Sequence, residues 1–290
     1  DPVLGMGVGE LFHRRRKSLS AKELSHIHAW MNIRTFAVRR LIRSVDWPAV
    51  DLPTWTLGID VESEEQAAEM VRAKWYVPNG PIRSVTAVAD QAGIMSLPTA
   101  FPSAEIDAIA IWPSDLPPLA FVSADALQDR LRFTLMHEVG HLVLHQRSAL
   151  LTVNADIENE ANRFAAAFLM PRSEIRPQLR NLTIDRLTHL KREWKVSMSS
   201  LLMRAKQLAM ISPSDEKALW AAMSRNGWRK REPPQLDVFS ENLGELYSQL
   251  YRLHQVDLKF SDQTLAEMTN LYPSDLRQWI APTLSGPRLV

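Results

Sequence analysis

Cysteine is missing from all 290 residues. Neither a disulfide framework nor a thiolate metal site is therefore open to this chain, and any metal must be held by histidine and carboxylate. The same absence fits a reducing, cytoplasmic setting. Also missing is any apolar run approaching the length of a membrane span. The first residues, Asp1-Pro2, a glycine-rich stretch and then His13-Arg14-Arg15-Arg16-Lys17, have no apolar segment behind their basic run. They do not read as a secretory signal but as the start of a piece from within a protein. A charge excess is lacking too: the formal net charge of +1 gives no global attraction to nucleic acid. Local clusters such as Arg14 to Lys17 and Arg229-Lys230-Arg231 read as solvated surface. Neither an internal repeat nor a low-complexity tract is visible.

What remains is the composition of an ordinary globular protein, 46% hydrophobic and 23% charged. Leu24, Ile27, Trp30, Met31, Phe36, Val38, Leu41 and Ile42 recur at helical spacing and predict a helical arm over residues 20 to 45, ending before Trp47-Pro48. Glu62 to Trp75 predicts a second helix. Pro81 to Ala92 predicts a third, opened by its proline and closed by Gly93. Short β segments follow at Ile94 to Leu97, Ile106 to Trp112 and Leu119 to Ser123, a small sheet that is antiparallel in part. From Leu127 the pattern is helical again: one long segment to Gln146, another from Glu158 to Leu169 stopped before Pro171, and further helices to the end. Helices, then a small sheet, then helices argue an α+β fold.

The chemistry concentrates in Arg132-Phe-Thr-Leu-Met-His137-Glu138-Val-Gly-His141-Leu-Val-Leu-His145. Residues four apart sit one turn up a helix on nearly the same face, so His137 and His141 can converge on one ion. Glu138 lies beside them, placed to take a proton from a water attacking a scissile carbonyl. Gly140 weakens the helix by about 1 kcal/mol relative to alanine, which suggests close approach by another backbone or by substrate.

A catalytic zinc site takes a third protein ligand and leaves one position open. The helix Ile157-Glu158-Asn159-Glu160-Ala161-Asn162-Arg163-Phe164-Ala165-Ala166-Ala167-Phe168-Leu169 offers Glu158 and Glu160. Glu158 shares a face with Asn162, which is placed to orient a ligand, whereas Glu160 points about 200° away around the helix. The geometry favours Glu158 and leaves Glu160 as a solvent-facing charge at a helix start. His145 lies about 12 Å along the axis from His137, too far for both to bind one ion, and is expected to be a supporting histidine.

The two segments together resemble the ImmA/IrrE family of bacterial metallopeptidases, and the resemblance extends over roughly residues 58 to 232. It implies a zincin-like core at 58–178, between an N-terminal helical arm and linker at 1–57 and a helical, helix-turn-helix-like region at 179–235. A C-terminal helical region at 236–290 has no assigned role. It implies a zinc-dependent endopeptidase, with Mn²⁺ or Fe²⁺ as substitutes, that cleaves a cognate helix-turn-helix repressor or antitoxin. His137, His141 and Glu158 match the family's metal ligands and Glu138 its catalytic glutamate. Relatives that resemble this chain from Leu11 to Pro53 carry a DNA-binding domain ahead of the peptidase.

The competing reading is a DNA-binding regulator that uses the same core as a sensor or docking scaffold. Thr183 to Trp194 and Met198 to Gln207 have the length and polarity of a helix-turn-helix, with Arg204 and Lys206 expected on the surface. A helical pair packed on the core explains the same apolar spacing at Leu187, Leu190, Val196, Leu201 and Leu202. Glu138 beside the histidine pair favours the enzyme.

Overall fold

The computed structural model describes residues 20–47, 49–101, 106–146, 156–229, 231–237 and 239–278; the basic run Arg14 to Lys17 lies outside them. In chain order the elements are α1 (Ala21–Ile42), α2 (Glu64–Lys74), α3 (Val85–Gln91), β1 (Met95–Thr99), β2 (Ala108–Ile111), β3 (Leu119–Ser123), α4 (Gln128–Leu144), α5 (Ile157–Leu169), α6 (Arg172–Ile175), α7 (Ile184–Trp194), α8 (Met198–Gln207), α9 (Pro213–Arg225), α10 (Glu245–Val256), α11 (Asp262–Thr269) and α12 (Pro273–Gln278). The fold is α+β, as the order of patterns predicts.

The chain falls into two compact units, neither continuous in sequence. Of the described residues, the first comprises those within Asp1–Asp51, Ala89–Asp125 and Asn242–Val290, the second those within Leu52–Val88 and Ala126–Glu241. This division runs along other lines than the consecutive regions expected from the sequence, because apolar faces far apart in the chain are buried against each other.

In the first unit the sheet order is β1-β3-β2. β3 is central, parallel to β1 from Met95 opposite Leu119 to Thr99 opposite Ser123, and antiparallel to β2 from Ala108 opposite Val122 to Ile111 opposite Leu119. Leu119, Ala120, Phe121 and Val122 are all buried, as expected of a strand with neighbours on both edges and cover on its faces. One core holds Leu97 and Phe121 from the sheet, Ile27, Met31, Val38 and Leu41 from α1, Tyr247, Leu250 and Tyr251 from α10, and Leu265 from α11. The helical arm and the C-terminal helices thus complete the sheet's core. Arg34 is buried here. Its guanidinium donates to the Pro98 carbonyl at 2.6 Å and lies 3.7 Å from the Trp30 ring centre, and burial pulls its pKa down to about 9.

The second unit is built on α4 and α5, with α2 packed against α5. Their close approach explains Gly140: a Cβ there would lie 3.2 Å from the Ala161 Cα and 3.1 Å from Phe164 Cδ1. The neighbour is a helix backbone, the first of the two options the sequence left open. α3 starts at Val85 rather than at Pro81, and the reason is remote in sequence. The Glu241 carboxylate accepts from the backbone N–H of Val85 at 3.0 Å and of Thr86 at 3.1 Å, and from the hydroxyls of Ser84 and Thr86, each at 2.8 Å. These bonds satisfy helix donors that otherwise lack partners. Arg132 pairs with the other face of Glu241, both side chains wholly buried.

Candidate metal centre

α4 is buried along almost all of its length, and both His137 and His141 lie on it, nearly sealed from solvent. Their Nε2 atoms are 3.0 Å apart. Glu158, in the first turn of α5, brings Oε2 to 3.6 Å from His137 Nε2 and Oε1 to 3.5 Å from His141 Nε2. Three donor atoms each about 2.0–2.1 Å from one ion stand about 3.3 Å apart at tetrahedral angles. These separations therefore fit a single ion, and two imidazoles with one carboxylate form a donor set that suits zinc. Among the described residues this is the one group of three or more His, Asp or Glu side chains close enough to hold a metal.

The outer nitrogens are also engaged. His137 Nδ1 lies 3.0 Å from Asn162 Oδ1, one turn along α5 from Glu158. His141 Nδ1 lies 2.9 Å from His145 Nδ1, and His145 Nε2 lies 2.9 Å from Glu160 Oε2. Glu160 is therefore not the solvent-facing charge predicted from the helix wheel. Its side chain is only 21% exposed, because α4 runs on past His141 and its next turn delivers His145 to the far side of α5. This contact was not anticipated, although the repeat of histidine at four-residue spacing was the signal for it.

Electrostatics follows the same geometry. Burial raises the Glu158 carboxyl, but the His137 and His141 imidazoles at 3.6 and 3.5 Å outweigh it and hold the group well below the usual carboxylate range. Burial, then the neighbouring imidazoles of His141 and His137, lowers His145 to about 3, so its ring is neutral at ordinary pH. Glu160 is raised by burial and by the carboxylates of Glu64 and Asp156. Glu138, one position after His137, is also buried.

Residues 89–206 match the family model of the IrrE N-terminal-like domain, a peptidase family. That stretch is an IrrE N-terminal-like domain. The match begins later and ends earlier than the resemblance drawn from the motifs, but both motif helices lie inside it. The family supports a metallopeptidase-type activity on a protein substrate for the IrrE-like domain. A search of curated proteins finds no match. No helix among the described residues is long and apolar enough to cross a membrane.

The helix pair from Thr183 to Gln207, inside the matched stretch except for its last residue, presents a different surface from the one expected. Arg204 is 2% exposed; it donates to Glu65 Oε2 at 2.9 Å and to the Met170 carbonyl at 3.0 Å. Only Lys206 faces solvent, bonded to Glu216 at 3.0 Å. Leu187, Leu190, Val196, Leu201 and Leu202 are wholly buried, so α7 and α8 serve the core. Arg204 is turned inward because Glu65 and the Met170 carbonyl offer its guanidinium acceptors away from solvent.

Proposed function

We propose that this chain is a zinc-dependent metalloendopeptidase that makes one or a few cuts in a specific partner protein, a helix-turn-helix repressor or antitoxin, and so relieves the silencing that partner imposes. The observation that carries the catalytic half is the convergence of His137, His141 and Glu158 on one point, with Glu138 on the same helix. In this reading the first three hold the ion and Glu138 is the general base. When bound, zinc supplies Lewis acidity, polarising the scissile carbonyl and bringing the pKa of water down to about 7; manganese or iron can take the same donors. Glu138 accepts the proton of the attacking water and returns it to the leaving amine. Asn162 keeps the His137 ring turned so that Nε2 faces inward.

The choice of a repressor as substrate rests on the family resemblance. Specificity of that kind comes from contacts remote from the scissile bond, so an unstructured peptide spanning the cut is a poor substrate. The test is to incubate metal-loaded protein with casein, with a helix-turn-helix protein encoded beside it, and with a peptide covering that protein's cut site. Discrete cleavage of the folded partner, with slow turnover of the other two, is expected. Rapid casein digestion overturns the specific reading, and an intact partner under zinc, manganese and iron overturns the repressor assignment.

A further inference from the structure

The two histidines of the metal centre have different groups behind them. His137 is backed by a neutral amide, Asn162, at 3.0 Å. His141 is backed by a second imidazole, His145, at 2.9 Å between the Nδ1 atoms, and His145 by the Glu160 carboxylate at 2.9 Å. Two helices build this line, α4 giving His141 and, at its C-cap, His145, and α5 the carboxylate. On the same face of α5, Arg163 is engaged by Glu64 at 2.7 Å and by Asp156 at 2.9 Å.

The line admits one arrangement of hydrogens when Glu160 is ionised. A carboxylate can only accept, so His145 must carry its hydrogen on Nε2. Its Nδ1 is then a bare lone pair and can only accept, which requires His141 to carry its hydrogen on Nδ1. That leaves the His141 Nε2 lone pair directed at His137 Nε2 and Glu158, as a cation ligand needs. We propose that His145 and Glu160 are positioning residues for the metal centre: they hold the His141 ring and its tautomer, and pass part of the Glu160 negative charge through the His145 imidazole to the Nε2 donor. Their effect is tighter binding of a divalent cation. The proposal rests on the reading that His141 is a metal ligand.

The zinc dissociation constant, measured on the full chain by competition with a chromophoric chelator, separates the two. Glu160→Gln keeps the shape and an acceptor but removes the charge. His145→Asn puts an amide oxygen near the place of Nδ1, so His141 keeps an acceptor while the reach to Glu160 is lost. We expect His145→Asn to weaken zinc binding about tenfold or more, in line with the usual 10–100-fold cost of losing a group that supports a ligand, and Glu160→Gln, one step further out, about three- to tenfold. In the His145→Asn background, Glu160→Gln should add nothing, because the connection is already cut. Wild-type affinity in Glu160→Gln overturns the proposal, as does an equal loss from Glu160→Gln in both backgrounds, which would make its charge act through space. If His145→Asn does not fold, the Glu160→Gln affinity decides alone. Failure of the underlying reading looks different: the wild type takes up no zinc, or His141→Ala binds it as well as the wild type.

Discussion

Glu158 and Glu160 stand two positions apart on one helix and face different histidines, so their replacements have different consequences. Glu158→Ala removes a donor whose oxygens lie 3.5 and 3.6 Å from the two Nε2 atoms and is expected to abolish stable zinc uptake, read as metal content after gel filtration. In the proposed mechanism Glu138→Gln removes a base and no ligand. It should retain about one equivalent of metal per chain and a wild-type melting temperature, while partner cleavage falls about 10²- to 10⁴-fold. Loss of metal from Glu138→Gln, or full metal in Glu158→Ala, would require the roles to be reassigned. That Glu158 rather than Glu160 stands beside His137 and His141 was legible from helix geometry, because the two carboxylates leave one helix in different directions. The role of Glu160 was not, because it depends on where the next turn of α4 passes.

Between elements, the contact of α4 with α5 sets the precision of the site, and Gly140 is its closest point. Alanine at this position improves helix propensity by about 1 kcal/mol. Against that, its methyl would sit 3.2 Å from the Ala161 Cα and 3.3 Å from the Ala161 carbonyl oxygen. These are backbone atoms in the middle of a helix and cannot step aside as a side-chain tip can, and overpacking of this kind costs about 1–3 kcal/mol. The cost outweighs the gain. Gly140→Ala is expected to lower the melting temperature and to weaken zinc binding together, since pushing α5 away carries Glu158 with it; an unchanged melting temperature would show that the helices have room to spare.

Across the second unit as a whole, the packing of distant segments converges on one ammonium. Lys191 of α7 is wholly buried and meets Asp129 of α4, Glu232 at 3.1 Å and Asp237 at 2.8 Å. Burial works against its charge, but the hydrogen bonds it donates to Asp129 and Asp237 outweigh it and raise its pKa, so it stays protonated across the physiological range. One cation does not compensate three carboxylates. Glu232 is pushed up by burial and by Asp129, despite the Met198 N–H and Lys191. A carboxyl with a raised folded-state pKa costs stability above that value, and the cost disappears as pH falls below the unfolded value, near 4.5. Glu232→Gln should therefore melt at or above the wild-type temperature at pH 7, with the difference vanishing at pH 4. A variant clearly less stable at pH 7 would mean that its charge is net stabilising.

By itself the sequence determined what depends on local spacing. The α4 and α5 helices, the convergence of His137 and His141 one turn apart, the place of Glu158 beside them and the α+β class all follow from periodicity and the chemistry of nearby residues. The tertiary structure alone decided what depends on distant segments meeting. Glu241 sets the start of α3 from more than 150 positions away, Glu65 draws Arg204 inward, and α10 and α11 share a core with α1 and the sheet. The physical reason is that a helix's spacing shows which of its faces is apolar, but the group that satisfies a buried charge or covers that face is found only when the chain packs.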